Sequence, residues 1–272
     1  MRRWPRRRWF ALSAASVAVV ALVAWGVRQG GDGPPEDLVA DPSAAPSGVA
    51  SAAVPDESES PAAVRYSFDG GLAQVVDGGG RLPLTVHTVE GGELAVVPHA
   101  GGLAVRFPAP CKHYGAESCA RAILQSGPAG FLNPARGTFS YGASVLVKPD
   151  ETSKGANVLQ KGFSVGDSQF KLQVDGAAGK PSCVIVGTSG SAIFVALSSQ
   201  SVADGRWHRV VCSRSNKLLT VAVDDDVVGR AAIPSSLSIT NPDPLCIGGK
   251  GISANNDQFV GVIDDVFVTR RA

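Results

Sequence analysis

The chain has 272 residues, 44% hydrophobic and 18% charged, with 32 glycines and 18 prolines, so it can bury one sizeable core and must contain many turns. Its formal net charge of +1 is unevenly spread: residues 1–28 hold six arginines and no acid, residues 29–63 hold seven acids and no base, and residues 64–272 hold 17 acids against 19 bases. A near-neutral folded part has no electrostatic footprint for a phosphate backbone, which excludes nucleic acid as a partner.

The N-terminus reads as an address. "MRRWPRRRW" is followed by "FALSAASVAVVALVAWGV", Phe10 to Val27, with no charge over 18 positions, about the minimum for a helix to cross a hydrocarbon core. Arginines before the span and acids after it favour a cytoplasmic N-terminus and export of everything beyond Arg28. Two readings stay open, a single-pass anchor over 1–28 and a cleaved signal peptide. "RRWFAL" also resembles a twin-arginine export signal. Residues 29–63 are Pro, Ala, Ser, Gly and acid without aromatics or apolar periodicity, and such a segment is expected to be disordered. As a flexible tether it reaches about 30–35 Å.

From Val64 the pattern changes to short runs separated by Gly, Pro, Asn, Asp and Ser, among them "VRYSFDG", "LAVRFP", "TFSYGASVLVKP", "QFKLQVDG", "WHRVVCSR", "LLTVAVDD" and "FVGVIDDVFVTR". Alternating runs rich in Val, Ile, Phe and Thr at this spacing predict an all-β domain over 64–272, built as two packed antiparallel sheets. Only "AESCARAILQ" suggests a helical turn.

All five cysteines lie in the exported part, where disulfides form and persist. Cys111 and Cys119 sit in one loop as a local staple. Cys183, at the start of one strand, and Cys212, late in another, are expected to tie two neighbouring strands across 28 intervening residues, a closure worth about 3–4 kcal/mol. Cys246 is the odd thiol, read as a small buried apolar residue. No CxxC or HxxxH spacing points to zinc.

"ADGRWHRVVCSRSNKLLTVAVDDDVVG", residues 203–229, is dense in chemistry-bearing residues. Alternation puts Trp207, Arg209, Val211 and Ser213 on one face and His208, Val210 and Cys212 on the other. Trp207 reads as a packing residue at the sandwich edge, His208 as a satisfied polar tip, and "DDD" as a hairpin turn, since Asp tolerates left-handed backbone. Glycoside hydrolysis needs two carboxylates about 5 Å or more apart across one bond. The four glutamates after residue 63, Glu90, Glu93, Glu117 and Glu151, all fall in loop-like surroundings. Asp264 and Asp265, being adjacent, are expected to face opposite sides of a strand. No G-x-S-x-G or H-E-x-x-H replaces them, and no enzyme is expected.

"YSFDG", "GTFSYGASVLVKP", "GANVLQKG", "QFKLQVDG", "DGRWHRVVCSR", "LTVAVDD", "IGGKG" and "NDQFVGVIDDVFV" follow one another in an order that resembles laminin G-like domains of the concanavalin A-like lectin/glucanase superfamily, especially secreted bacterial members. The resemblance implies a jelly-roll sandwich of two curved antiparallel sheets. It also implies a structural calcium where the first and last strands lie side by side, with Asp69 in "YSFDG" and Asp264 or Asp265 in "VIDDV" as ligands. A hard cation wants six to eight oxygens, so backbone carbonyls of the Gly70–Gly71 turn and waters would have to help. The function expected is a membrane-anchored, extracellular binding module for a glycan or a cell-surface protein. A structural or adhesive sandwich without a small ligand is the alternative, and a glycoside hydrolase or lyase the third reading.

Overall fold

The structure is a computed structural model that describes residues 62–111, 116–152, 154–165, 168–188 and 192–270. The anchor or signal helix expected over 1–28 and the linker expected over 29–63 lie outside the described residues but for the last positions. Among the described residues no helix is long and apolar enough to cross a membrane.

Fifteen strands account for the described chain: β1 (Ala62–Tyr66), β2 (Leu84–Val89), β3 (Ala95–His99), β4 (Gly102–Arg106), β5 (Arg121–Pro128), β6 (Phe139–Leu146), β7 (Ala156–Gly162), β8 (Gln169–Asp175), β9 (Lys180–Val186), β10 (Ile193–Leu197), β11 (Trp207–Ser215), β12 (Leu218–Val223), β13 (Asp226–Ala232), β14 (Pro244–Ile247) and β15 (Val262–Arg270). They form two antiparallel sheets, one in the order β13-β12-β11-β6-β15-β4-β3 with β1 also on β15, the other β10-β9-β8-β7-β14-β5-β2. "AESCARAILQ" holds only a single turn, the Cys119 N–H donating to the Ala116 carbonyl at 3.1 Å, before Arg121–Pro128 continues as a strand whose Leu124 packs into the core.

Each sheet turns one alternating set of side chains inward. Tyr141, Ala143 and Val145 of β6 with Val210 and Cys212 of β11 meet Phe170 and Leu172 of β8 with Cys183 and Ile185 of β9 in one apolar cluster. Two devices cross between the layers. The Tyr141 hydroxyl donates toward the Lys171 and Val184 carbonyls at 3.3 and 3.4 Å, and Cys183 is bonded to Cys212 with Cα atoms 5.5 Å apart. The bridge therefore joins β9 and β11 of opposite sheets across the core, where neighbouring strands were expected. Cys111 is bonded to Cys119, and Cys246 is a buried free thiol. The β12–β13 turn places Asp224 and Asp225 at φ 50° and 71°, the left-handed pair that a tight hairpin requires.

Candidate functional site

Strand β15 lies at the centre of the larger sheet and has β6 along one side. On its other side β4 pairs only with Val262 and Ile263, and β1 takes over from Val266 to Thr269. The ladder is thus interrupted opposite Asp264 and Asp265. A β-bulge occupies the same place: the pairing with β6 shifts between Asp264 and Phe267, and Asp265 has φ 48°. Core-facing residues along β15 are Ile263, Val266 and Val268, a step of three where an unbroken strand has two. The extra residue changes the parity of the strand and swings its two carboxylates the same way. Adjacent aspartates were expected to face opposite sides of the sheet. The bulge corrects that expectation.

Loops on two sides close the break. The β3–β4 hairpin turns through Ala100 and Gly101 at φ 48° and 86°, which sets His99 at its tip. The chain leaving β1 brings Ser67 and Asp69, whose Oδ1 accepts the Leu103 N–H at 2.9 Å. Gly102 leaves room for the Asp69 carboxylate, which a Cβ there would displace. The result is a hollow of about 500 Å³ lined by Ser67, Asp69, His99, Leu103, Asp264 and Asp265. One donor atom from each of His99, Asp264 and Asp265 lies within 4.8 Å of the other two.

The His99 ring is fixed from both directions. It stacks on Trp207 with ring centroids 3.7 Å apart, and its Nδ1 lies 2.6 Å from Asp264 Oδ2. Asp264 Oδ1 in turn accepts the Asp265 N–H at 2.7 Å, and Ser144 Oγ donates to Asp265 Oδ2 at 3.4 Å. Burial raises the Asp264 carboxyl above the usual carboxylate range, against the pull of the His99 hydrogen bond. Asp69, fully exposed, is held below that range chiefly by the Leu103 N–H. All three aspartates singled out in the sequence therefore line one hollow. His99 joins them with Trp207 stacked behind it, and no local pattern in "VVPHAGG" marks His99, because its partner is 165 residues away.

These donors fit calcium poorly. A calcium shell needs six to eight oxygens, yet an imidazole nitrogen stands among the carboxylates here. Asp69 Oδ1 and both oxygens of Asp264 are also engaged within the protein.

Elsewhere, His208 is the polar tip expected of it, with Nδ1 at 2.7 Å from Asp224 and Nε2 at 3.0 Å from Asp204. The outward strand positions of the smaller sheet include Thr85, Gln125, Gln160, Lys171, Gln173 and Ser182, and among the described residues they include no Trp, Tyr or Phe. Its edge strand β10 exposes an apolar stripe, Ile193, Val195 and Leu197, at 56%, 44% and 52%.

Comparison with solved structures places the fold. Domain 4 of AbnA, an extracellular arabinanase from Geobacillus stearothermophilus in complex with arabinotriose, superposes with a TM-score of 0.58 at 17% identity, over 78% of this chain and 93% of that one. The binding domain of paraclostridial mosquitocidal protein 1 gives 0.56 at 13% identity, over 77% of this chain and 48% of that one. The botulinum neurotoxin DC binding domain in complex with SialylT gives 0.54 at 8%, over 76% and 47%. The chain thus spans about half the length of the toxin binding domains it matches. No curated protein sequence matches it. A laminin G family model, described as concanavalin A-like lectin/glucanases superfamily, matches residues 130–272, more than half of the chain. With two antiparallel sheets packed over one core and this match, the chain belongs to the concanavalin A-like lectin/glucanases superfamily.

Proposed function

We propose that the protein is a membrane-anchored, extracellular binding module that takes a polyhydroxylated ligand, a glycan, at the hollow of Asp69, His99, Asp264 and Asp265, without chemistry of its own. The observation that carries this reading is the hollow itself: three carboxylates and an imidazole, held by backbone and ring contacts, line it where the ladder of the larger sheet is interrupted, with Asp69 exposed and Asp264 buried. Carboxylates accept hydrogen bonds from vicinal hydroxyls with charge-assisted strength. The arabinotriose complex of a structural neighbour supports a carbohydrate. Anchoring rests on the arginine-flanked apolar run, and the tether that follows holds the module off the membrane.

Among the described residues, the outward strand positions of the smaller sheet carry no aromatic platform on which a sugar ring would stack, so recognition falls to hydrogen bonds at the hollow. A second reading has its own observation. The β10 stripe is apolar and exposed, which favours contact with a protein, and the binding domain of botulinum neurotoxin DC, of which this chain matches 48%, forms a complex with rat synaptotagmin II. The purified full chain on an array of glycans and cell-wall polymers separates the two. Retention of a glycan by the protein and its loss in Asp265→Asn is the expected result. Glycan binding that Asp265→Asn leaves intact, or capture of surface proteins abolished by Val195→Asp, overturns the assignment to the hollow.

A further inference from the structure

We infer that the hollow binds a nitrogen-preferring divalent cation of the zinc class, with His99 as its defining ligand, in place of the calcium that the resemblance implies. The inference deepens the proposed role of the same hollow, and its test uses metal alone, so its failure leaves the glycan reading to be judged separately.

The ligand chemistry discriminates between the ions. Calcium and magnesium are hard and select oxygen shells, whereas imidazole suits zinc, copper, iron and nickel. Here the nitrogen is not peripheral. The three candidate donor atoms are mutually within 4.8 Å, and an ion would take the place of the proton that His99 Nδ1 and Asp264 Oδ2 now share across 2.6 Å, the two donors moving apart to admit it. A cluster this compact closes on an ion with bonds of about 2.0–2.2 Å after small rotations of the carboxylates. Three protein ligands, His99, Asp264 and Asp265, make the shell of an open site whose fourth position is left to water or a ligand oxygen. Asp69, on the rim, adds negative charge without having to ligate.

Supporting contacts of the kind that orient metal ligands are in place. Trp207 lies against the imidazole plane, the Asp265 N–H fixes Asp264, and Ser144 reaches Asp265. Such contacts hold ligand rotamers before the ion arrives. The β15 bulge supplies the adjacent carboxylates that a flat strand would divide between two faces. Zinc was disfavoured on sequence spacing because no paired Cys or His motif exists. The site escapes that criterion by drawing its nitrogen from a hairpin 165 residues upstream.

Trp207 is the reporter. It is the one tryptophan among the described residues, the other three being Trp4, Trp9 and Trp25. The purified full chain, stripped with chelator, is titrated separately with Zn²⁺, Co²⁺ and Ca²⁺ while the melting temperature and tryptophan emission are followed. Micromolar Zn²⁺ should raise the melting temperature. Co²⁺ should give visible d–d absorption and a saturable loss of emission that a Trp207→Phe chain does not show. Asp265→Asn, which leaves the His99–Trp207 stack untouched, should weaken both responses, and His99→Gln should abolish them. A larger melting shift with Ca²⁺ than with Zn²⁺, responses that survive His99→Gln, or no response to any of the three ions overturns the inference.

Discussion

Histidine 208 gathers two carboxylates, and the pair of contacts fixes its charge. Both ring nitrogens face aspartate oxygens, so only the doubly protonated ring donates to both. Burial opposes that charge, but the hydrogen bonds that the ring donates to Asp224 and Asp204 outweigh it, and the folded pKa is raised above 6.5. A group whose pKa is raised on folding adds stability below its unfolded value and loses that contribution as pH climbs through the folded one. The melting temperature should therefore fall as pH rises from about 6 through the raised value, and His208→Gln should flatten that part of the profile. Cys246 illustrates the opposite effect of burial. Its thiol is pushed up to about 12 by desolvation, with Asp243 adding to it, so almost no thiolate forms at neutral pH. Iodoacetamide should label Cys246 only after denaturation, and labelling of the native chain would show that the strand opens. Gly142 is constrained by space: a Cβ would strike the Val210 carbonyl oxygen and the Phe267 ring. Gly142→Ala should cost about 1–3 kcal/mol in urea unfolding.

Strands show where sequence reasoning succeeds and where it stops. Period-two patterns such as Leu219, Val221 and Val223 state their own inward face, and those three residues all join the core. The left-handed hairpin at Asp224 and Asp225 was legible because Asp is one of the few residues suited to that backbone. The disulfide partners could be read from their positions in the chain, but not the fact that they lie in different layers, since strand order is a long-range property. The bulge in β15 left a trace, the three-residue step from Ile263 to Val266, which only becomes meaningful once both are known to face inward. His99 left none. Because Cys183 and Cys212 join layers instead of neighbours, their bond constrains the pairing of the two sheets as well as one loop. Replacing both by alanine should cost about 3–4 kcal/mol, read as a lower denaturation midpoint. Cys111 and Cys119 are only eight residues apart in sequence, and their removal should cost less.

For the whole molecule, the arginine-flanked run and the acidic tether make topology the decisive question. Protease added to intact cells should remove everything after Arg28, and a protected C-terminal epitope would contradict export. The position of β1 then has a mechanical meaning. Ala62, where the described chain begins, lies opposite Thr269, and Tyr66 lies opposite Val266. Ser67 and Asp69 follow at once and line the hollow. On the proposed reading, a pull between a ligand in the hollow and the chain before Ala62 would run lengthwise along those five residues, so the backbone hydrogen bonds to β15 would share the load in shear. A pull between Ala62 and Arg270 instead enters at one end of the same ladder and peels it bond by bond. The same short strand would thus resist a force arriving through the proposed ligand better than one applied between Ala62 and Arg270.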